Sequence, residues 1–298
     1  MLLLGETSMF TEVKMIMYLI DTHCHLNLPN YQLDADTVIR RAQDNQIGMI
    51  VVGTDYKSSR RALDLVNRFE NGVYAAIGLH PGELEDHEEE YGGQKIMISG
   101  EKYNSESYQL LAKFPKVVAI GEIGLDYFQR SLDYELREEV KQRQRKVLEA
   151  QLELAVVADL PIILHCRQAH EDLLKMLASF KKKFRDALPE DRPWGVVHCF
   201  SGDETLAWQY FNLGLVISFT GLITFSQQWD ILIRKMPLEK LLLETDSPFL
   251  TPEPYRGKRN EPILVKQVAE RIALIKGVPV DRIAEVTTAN ARQLFKII

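Results

Sequence analysis

Cysteine is scarce: three residues in a chain of 298. They are too few and too unpatterned for a disulfide framework, which points to a reducing, cytoplasmic setting. No run approaches the roughly 18 consecutive apolar residues of a membrane span, so no membrane association is expected. Positive charge is not in excess either, since 36 Lys and Arg stand against 42 Asp and Glu, for a net charge of −6. A global field that gathers nucleic acid is therefore excluded, and a polyanionic substrate would need local cations or bound metals. The first apolar run is not followed by a glycine-rich dinucleotide fingerprint, which weighs against a Rossmann arrangement. A basic stretch and long apolar core at the start, as in a secretory signal, are missing as well. Met9, Met15 and Met17 leave the translational start open, and residues 1–16 read as a disordered extension.

What is present is ordinary for a soluble globular protein, with 46% hydrophobic and 26% charged residues. Eight short apolar runs, mostly rich in Val, Ile or Leu, occupy residues 18–21, 49–53, 73–78, 117–121, 161–165, 196–198, 215–219 and 241–244. Between most of them lie segments with apolar residues at helical spacing: 34–45, 58–70, 132–158, 170–180, 205–213 and 229–236. Continuous apolar strands separated by helices signal a parallel sheet covered on both faces. Eight repeats favour a closed α/β barrel of the (β/α)₈ TIM type, here one domain over residues 17–298. Two further helices, 261–276 and 281–296, would close it, with Asp281 and Thr287 as N-caps. Residues 83–107 break the rhythm with an acidic stretch and Gly92-Gly93. They read as an insertion after the third strand, with a small hairpin, on the face where a site would lie.

The polar residues at the ends of the runs carry the chemistry. His23 and His25 stand two apart at the end of the first, and side chains two apart on a strand share a face. Both imidazoles can then converge on one cation of the Zn²⁺ or Mn²⁺ kind. His165, His198, Glu122 and Asp246 stand at the ends of other runs, and barrel enzymes place their sites at the carboxyl ends of the strands. Four histidines and two carboxylates exceed what one tetrahedral zinc uses; they suit two metals, a bridging carboxylate and open positions for water. Each cysteine adjoins one of these histidines, and strand alternation turns it the other way.

Ile20-Asp21-Thr22-His23-Cys24-His25-Leu26, Gly121-Glu122-Ile123-Gly124-Leu125-Asp126-Tyr127, Leu164-His165-Cys166-Arg167, His198-Cys199-Phe200-Ser201-Gly202, Glu244-Thr245-Asp246-Ser247-Pro248 and Arg256-Gly257-Lys258-Arg259-Asn260-Glu261-Pro262 together resemble the TatD family, metal-dependent hydrolases of the amidohydrolase superfamily known chiefly as deoxyribonucleases. The resemblance runs from about residue 18 to residue 295. It implies one divalent ion (Zn²⁺, Mn²⁺ or Mg²⁺) on His23, His25 and Asp246, a second on His165 and His198, and Glu122 between them. It implies an exodeoxyribonuclease acting on DNA, on single strands or 3′ ends, with no obligate protein partner. Asp246 is the expected general base, because a carboxylate beside an attacking water can take its proton. The alternative is a carbonyl substrate in the same site: a small amide, ester or lactone, or a charged tRNA.

Several residues admit two readings. Arg256, Lys258 and Arg259 either grip a phosphate or pair with Glu253 and Glu261. Arg167 either faces the pocket or pairs with Glu171. His80 contacts substrate or serves the structure. Asp21 orients a metal-bound histidine or satisfies backbone donors. Tyr127, Phe128, Trp208 and Trp229 stack on bases or fill the core.

Overall fold

The computed structural model of the protein describes residues 18–91, 94–128 and 134–297; the extension read at residues 1–16 lies outside them. Eight parallel strands form one sheet in the order β1 (Leu19–Cys24), β2 (Ile47–Val52), β3 (Val73–Ile77), β6 (Val117–Asp126), β7 (Ile162–Arg167), β8 (Gly195–Val197), β9 (Leu215–Phe219) and β10 (Leu241–Leu243). Strands β4 (His87–Tyr91) and β5 (Gln94–Ile98) pair with each other as an antiparallel hairpin, inside the stretch read as an insertion. Helices α1 (Ala35–Asp44), α2 (Tyr56–Val66), α3 (Ser105–Leu111), α4 (Tyr134–Ala158), α5 (His170–Lys183), α6 (Glu204–Asn212) and α7 (Asp230–Lys235) lie between strands, while α8 (Val265–Lys276) and α9 (Val280–Phe295) follow the last. This is the TIM-type barrel the periodicity predicts. Among the described residues, no helix is long and apolar enough to cross a membrane.

Alternation along each strand sorts the apolar side chains into two layers. Ile20, Val52, Ile163, Val196, Val216 and Leu242 belong to a small cluster that fills the barrel, joined by Leu294 and Phe295 from the end of α9. Their neighbours in sequence, such as Leu19, Val51, Leu164 and Leu243, join a larger layer beneath the surrounding helices. At roughly 25 cal/mol per Å² of buried apolar surface, the two layers supply most of the favourable free energy of folding. The helix that closes one end begins earlier than its sequence suggests. Val280 opens α9 behind Pro279, whose fixed φ suits that position. Asp281 is therefore inside the first turn, where it accepts a hydrogen bond from Tyr18 Oη. Thr287 sits in mid-helix and donates to the Ile283 carbonyl, so neither residue is the expected cap.

The barrel closes between its first and last strands, and the seam is dense in hydrogen bonds. Thr22 Oγ1 donates to Leu243 O, His25 N–H to Ser247 O at 2.7 Å, and Asp246 N–H to His23 O at 2.9 Å. Fully buried Asp21 accepts from Thr245 N at 2.8 Å, Thr245 Oγ1 at 2.6 Å and His23 N at 3.2 Å. Of the two readings of Asp21, the second holds: it serves backbone and hydroxyl donors that hold the seam shut, not an imidazole nitrogen.

Candidate metal centre

Strand alternation explains which side chains reach the barrel mouth. His165 follows Ile163, His198 follows Val196 and Glu244 follows Leu242, each at a spacing of two from a residue that fills the barrel, and Asp246 stands two beyond Glu244. Strand β1 needs a correction of phase. Ile20 points inward, and unbroken alternation would carry Cys24 inward with it. A register irregularity between Asp21 and Cys24 shifts the phase. His23 and His25 now turn to the centre, while Cys24 joins the outer layer and its thiol donates to Ile50 O.

Around the centre, donor atoms converge. His23 Nε2 and His25 Nε2 are 3.1 Å apart. Glu122 Oε2 stands 3.4 and 3.8 Å from them, and Asp246 Oδ1 3.7 and 3.4 Å. Donors bound at about 2.0–2.2 Å around one tetrahedral cation would be about 3.3–3.6 Å from each other. These separations fall around that value, so the two imidazoles with either carboxylate oxygen could hold a divalent ion. The other carboxylate oxygen, Glu122 Oε1, faces elsewhere: it lies 2.7 Å from His198 Nε2 and 2.8 Å from His165 Nδ1, which are 3.5 Å apart. One carboxylate thus turns each oxygen toward a different pair of imidazoles.

In two of the four rings, those of His25 and His165, an outward hydrogen bond fixes the inward atom. A carbonyl oxygen can only accept, so His25 Nδ1 donates to Val52 O at 3.0 Å and its Nε2 keeps a free lone pair. His165 Nε2 meets Asp126 Oδ2 at 3.1 Å, leaving Nδ1 for the centre. His198 Nδ1 is 3.6 Å from Glu244 Oε1, and that buried carboxylate is itself held by Cys199 N–H and Ser218 Oγ. His80 also comes within reach of Glu122 and His165, but its ring faces the wrong way round for a ligand. Nδ1 accepts from Gly82 N–H at 3.0 Å, so the neutral ring carries its proton on Nε2, 3.5 Å from Glu122 Oε1. Burial pushes its pKa down to about 3. His80 therefore presents a hydrogen-bond donor to the cleft.

Electrostatics match this packing. Burial alone would raise the Glu122 carboxyl, but the rings of His198, His80 and His165 hold it well below the ordinary carboxylate range. Asp246 likewise resists burial through His25, His23 and His198 and stays below its usual value. Conversely, burial works against a cationic His198, yet Glu122 and Glu244 hold its pKa well above the usual one.

The centre opens into a cleft of about 720 Å³ bordered by His25, His80, Asp126, Arg167, Asp246 and Phe249 among others. The basic residues read from the sequence divide sharply. Arg259 is committed: it forks onto Asp34 at 2.9 and 2.6 Å, donates to Asn30 O and covers the Tyr31 ring. Arg256 lies over Phe225, and Lys258 near Tyr255. Arg167 lies over Phe128 at the cleft wall, while Glu171, its other expected partner, pairs with Lys175. Trp229 is buried, its indole N–H on Gly202 O, and Trp208 packs edge-on against Phe211. Tyr127 is tied to Asp172.

Asp126, Glu244 and Phe249 are absent from the sequence-based site. The first two were within reach of it: Glu244 is two residues from Asp246, and Asp126 four from Glu122, spacings that share a strand face. Gly124 matters for another reason. Its φ is +150°, and a methyl group there would run into the His165 carbonyl. Gly124→Ala is expected to cost about 3 kcal/mol and to displace His165. Urea unfolding beside a metal-occupancy assay checks this, and wild-type values in both would refute it.

Comparison with known proteins agrees with this geometry. The family described as TatD related DNase matches residues 20–296. The uncharacterized metal-dependent hydrolase YabD of Bacillus subtilis (strain 168) is 38% identical over 282 residues, covering 94% of this chain and 99% of the relative. The 3'-5' ssDNA/RNA exonuclease TatD of Erwinia tasmaniensis is 32% identical, covering 94% of this chain and all of its own. Among solved structures, the TatD homologue YjjV of Escherichia coli K12 superposes with a TM-score of 0.78 at 32% identity, over 95% of this chain and 100% of that one.

Proposed function

The chain belongs to the TatD family of metal-dependent hydrolases, and we propose on that footing that it removes nucleotides from the 3′ end of single-stranded DNA with two divalent cations. The observation that carries the two-ion reading is the divided Glu122 carboxylate, Oε2 toward His23 and His25 and Oε1 toward His165 and His198. His23, His25 and Asp246 would hold one ion, His165 and His198 the other, and Glu122 would bridge. Bound there, the pair supplies neutralisation of charge on the phosphodiester and a lower pKa for the attacking water.

The side chains supply the rest. Asp246 takes the proton of the attacking water on its carboxylate. His80 donates from Nε2 to a phosphoryl oxygen, and the Gly82 N–H keeps it in the tautomer that can do so. Arg167, Arg256 and Lys258 attract the polyanion locally, which a net charge of −6 cannot do globally. Arg259 is left out of substrate contact, since Asp34 already occupies its fork. A reducing cytoplasm suits the three cysteines, all free thiols.

Metal-titrated digestion of a 5′-labelled single strand, wild type against Asp246→Asn, tests the reading. A ladder shortening from the 3′ end that chelation stops, metal restores and the variant lacks is the expected result. Intact DNA with Mg²⁺, Mn²⁺ or Zn²⁺ at confirmed occupancy would overturn it in favour of a carbonyl substrate.

A further inference from the structure

Phe249 is an anomaly at the mouth of the cleft. It follows Asp246 by three residues, yet half of its surface is exposed (50%) beside a centre whose other residues are buried or half-buried. Its ring meets the edge of His25, with centroids 6.3 Å apart. An exposed phenyl group is not anomalous on its own; what marks this one is the effort spent on holding it still. Fully buried Asn260 donates through Nδ2 to both Phe249 O and Thr245 O, and its Oδ1 accepts from Glu261 N–H. Phe249 N–H in turn reaches Asp246 O. Arg259, forked onto Asp34, ties the same loop to the segment after β1. The motif Arg259-Asn260-Glu261 thus fastens the loop that presents Phe249 instead of gripping a phosphate itself.

Two cations belong to its surroundings: Arg167 borders the same cleft, and Arg256 lies seven residues further along the loop that carries the ring. Arg167, from the end of β7, sits 3.7 Å from the centroid of Phe128, and Arg256, from the loop after β10, sits 3.7 Å from that of Phe225. Among the described residues neither guanidinium has a carboxylate within ion-pairing distance, so each is positioned by a ring while its charge stays free. An open aromatic face beside the reacting centre, with one free cation in the same cleft and another on the same loop, matches an unpaired base on a phosphate backbone.

We propose that Phe249 is a stacking platform for the base at the cleavage point, with Arg167 and Arg256 holding the flanking phosphates. This rests on the nucleic-acid reading above and adds to it: the site needs a base plane but reads no base identity. A base stacked between neighbours in a duplex cannot offer its face, so the platform favours ends that are frayed or unpaired.

The test is equilibrium binding of metal-loaded protein to a short 5′-fluorescein oligothymidylate with phosphorothioate linkages at its 3′ end. The comparison strand has the same backbone with its two 3′-terminal residues abasic. Wild type is expected to lose about ten-fold in affinity when the bases are removed. Phe249→Ala should weaken the base-bearing strand by a similar factor and leave the abasic strand unchanged, while Phe249→Tyr keeps the wild-type pattern. Arg167→Gln and Arg256→Gln should weaken both strands equally and flatten the salt dependence. Equal affinity of wild type for the two strands, with cleavage of an ordinary strand intact, would overturn the platform and leave the nuclease standing. Neither binding nor cleavage of any strand would overturn both. Should Phe249→Ala fail to fold, the wild-type comparison and Phe249→Tyr still decide.

Discussion

Glu122→Gln is expected to lower kcat/KM by about 10³-fold or more, which corresponds to about 4 kcal/mol of transition-state stabilisation. The substitution keeps the shape of the side chain and removes its charge and one acceptor. An amide has a single oxygen and a donating nitrogen, so it cannot face His23 and His25 with one lone pair and His165 and His198 with another. Whichever way it turns, an N–H group points at imidazole nitrogens that must themselves be acceptors. Metal content measured on the purified variant should fall from two ions per chain to one or fewer. Asp126→Asn offers the contrast. Its Oδ2 meets the far nitrogen of His165 while its Oδ1 accepts from Phe128 N–H, and loss of such a supporting hydrogen bond typically costs 10–100-fold. If the two variants were equally impaired, Glu122 would be no more than another supporting residue and the bridging role would be wrong.

Removing the metal from the wild-type protein should lower its Tm by about 10–20 °C. Two sites each saturated at about a hundred times Kd contribute about 5 kcal/mol of linkage free energy, and a chain of this size shifts by about 2–4 °C per kcal/mol. The packing adds a reason for so large a dependence. Without a cation, His23 Nε2 and His25 Nε2 still face each other at 3.1 Å in a buried setting, with two carboxylates close by. Polar groups gathered like this are costly to bury unless something satisfies them all at once. Calorimetry before and after chelation, with metal added back, reads the shift directly. In Glu122→Gln the difference between the two scans should shrink to a few degrees. A wild-type Tm indifferent to chelation would mean that the imidazoles satisfy one another and that no ion is needed there.

The barrel could be read from the sequence because its signal is redundant: eight apolar runs separated by amphipathic segments tolerate errors of a few residues at each end. Strand β6, for instance, extends through Asp126, well past the run at 117–121, without altering the fold. The site was legible for a related reason. A histidine or acid at the carboxyl end of a buried strand contradicts its surroundings, and His165 and His198 stand out on that ground alone. Hidden from sequence were the features that depend on partners far along the chain. The phase shift in β1 has no local marker, although the inward turn of His23 and His25 depends on it. Arg259 lies in a basic stretch that looks like an anion grip; only the fold brings Asp34 to it. The exposure of Phe249 follows from the path of a loop whose anchor, Asn260, is itself an unremarkable polar residue in sequence.

The seam that closes the barrel has a consequence for the newly made protein. Asp21 and Thr245, which fasten it, are separated by 224 residues, and Asp246 comes still later. A ribosome adding about 5–20 residues per second takes roughly ten to forty-five seconds to cover that distance. Throughout that time His23 and His25 have left the exit tunnel without the carboxylate that completes their set. A nascent chain can therefore offer a passing ion only a partial, weaker grip, and the full centre exists only after the last strand has zipped against the first. On the two-ion reading, full metal loading is an event of the finished chain: a polypeptide truncated before Asp246 keeps most of its strands but lacks the carboxylate that completes the His23 and His25 set.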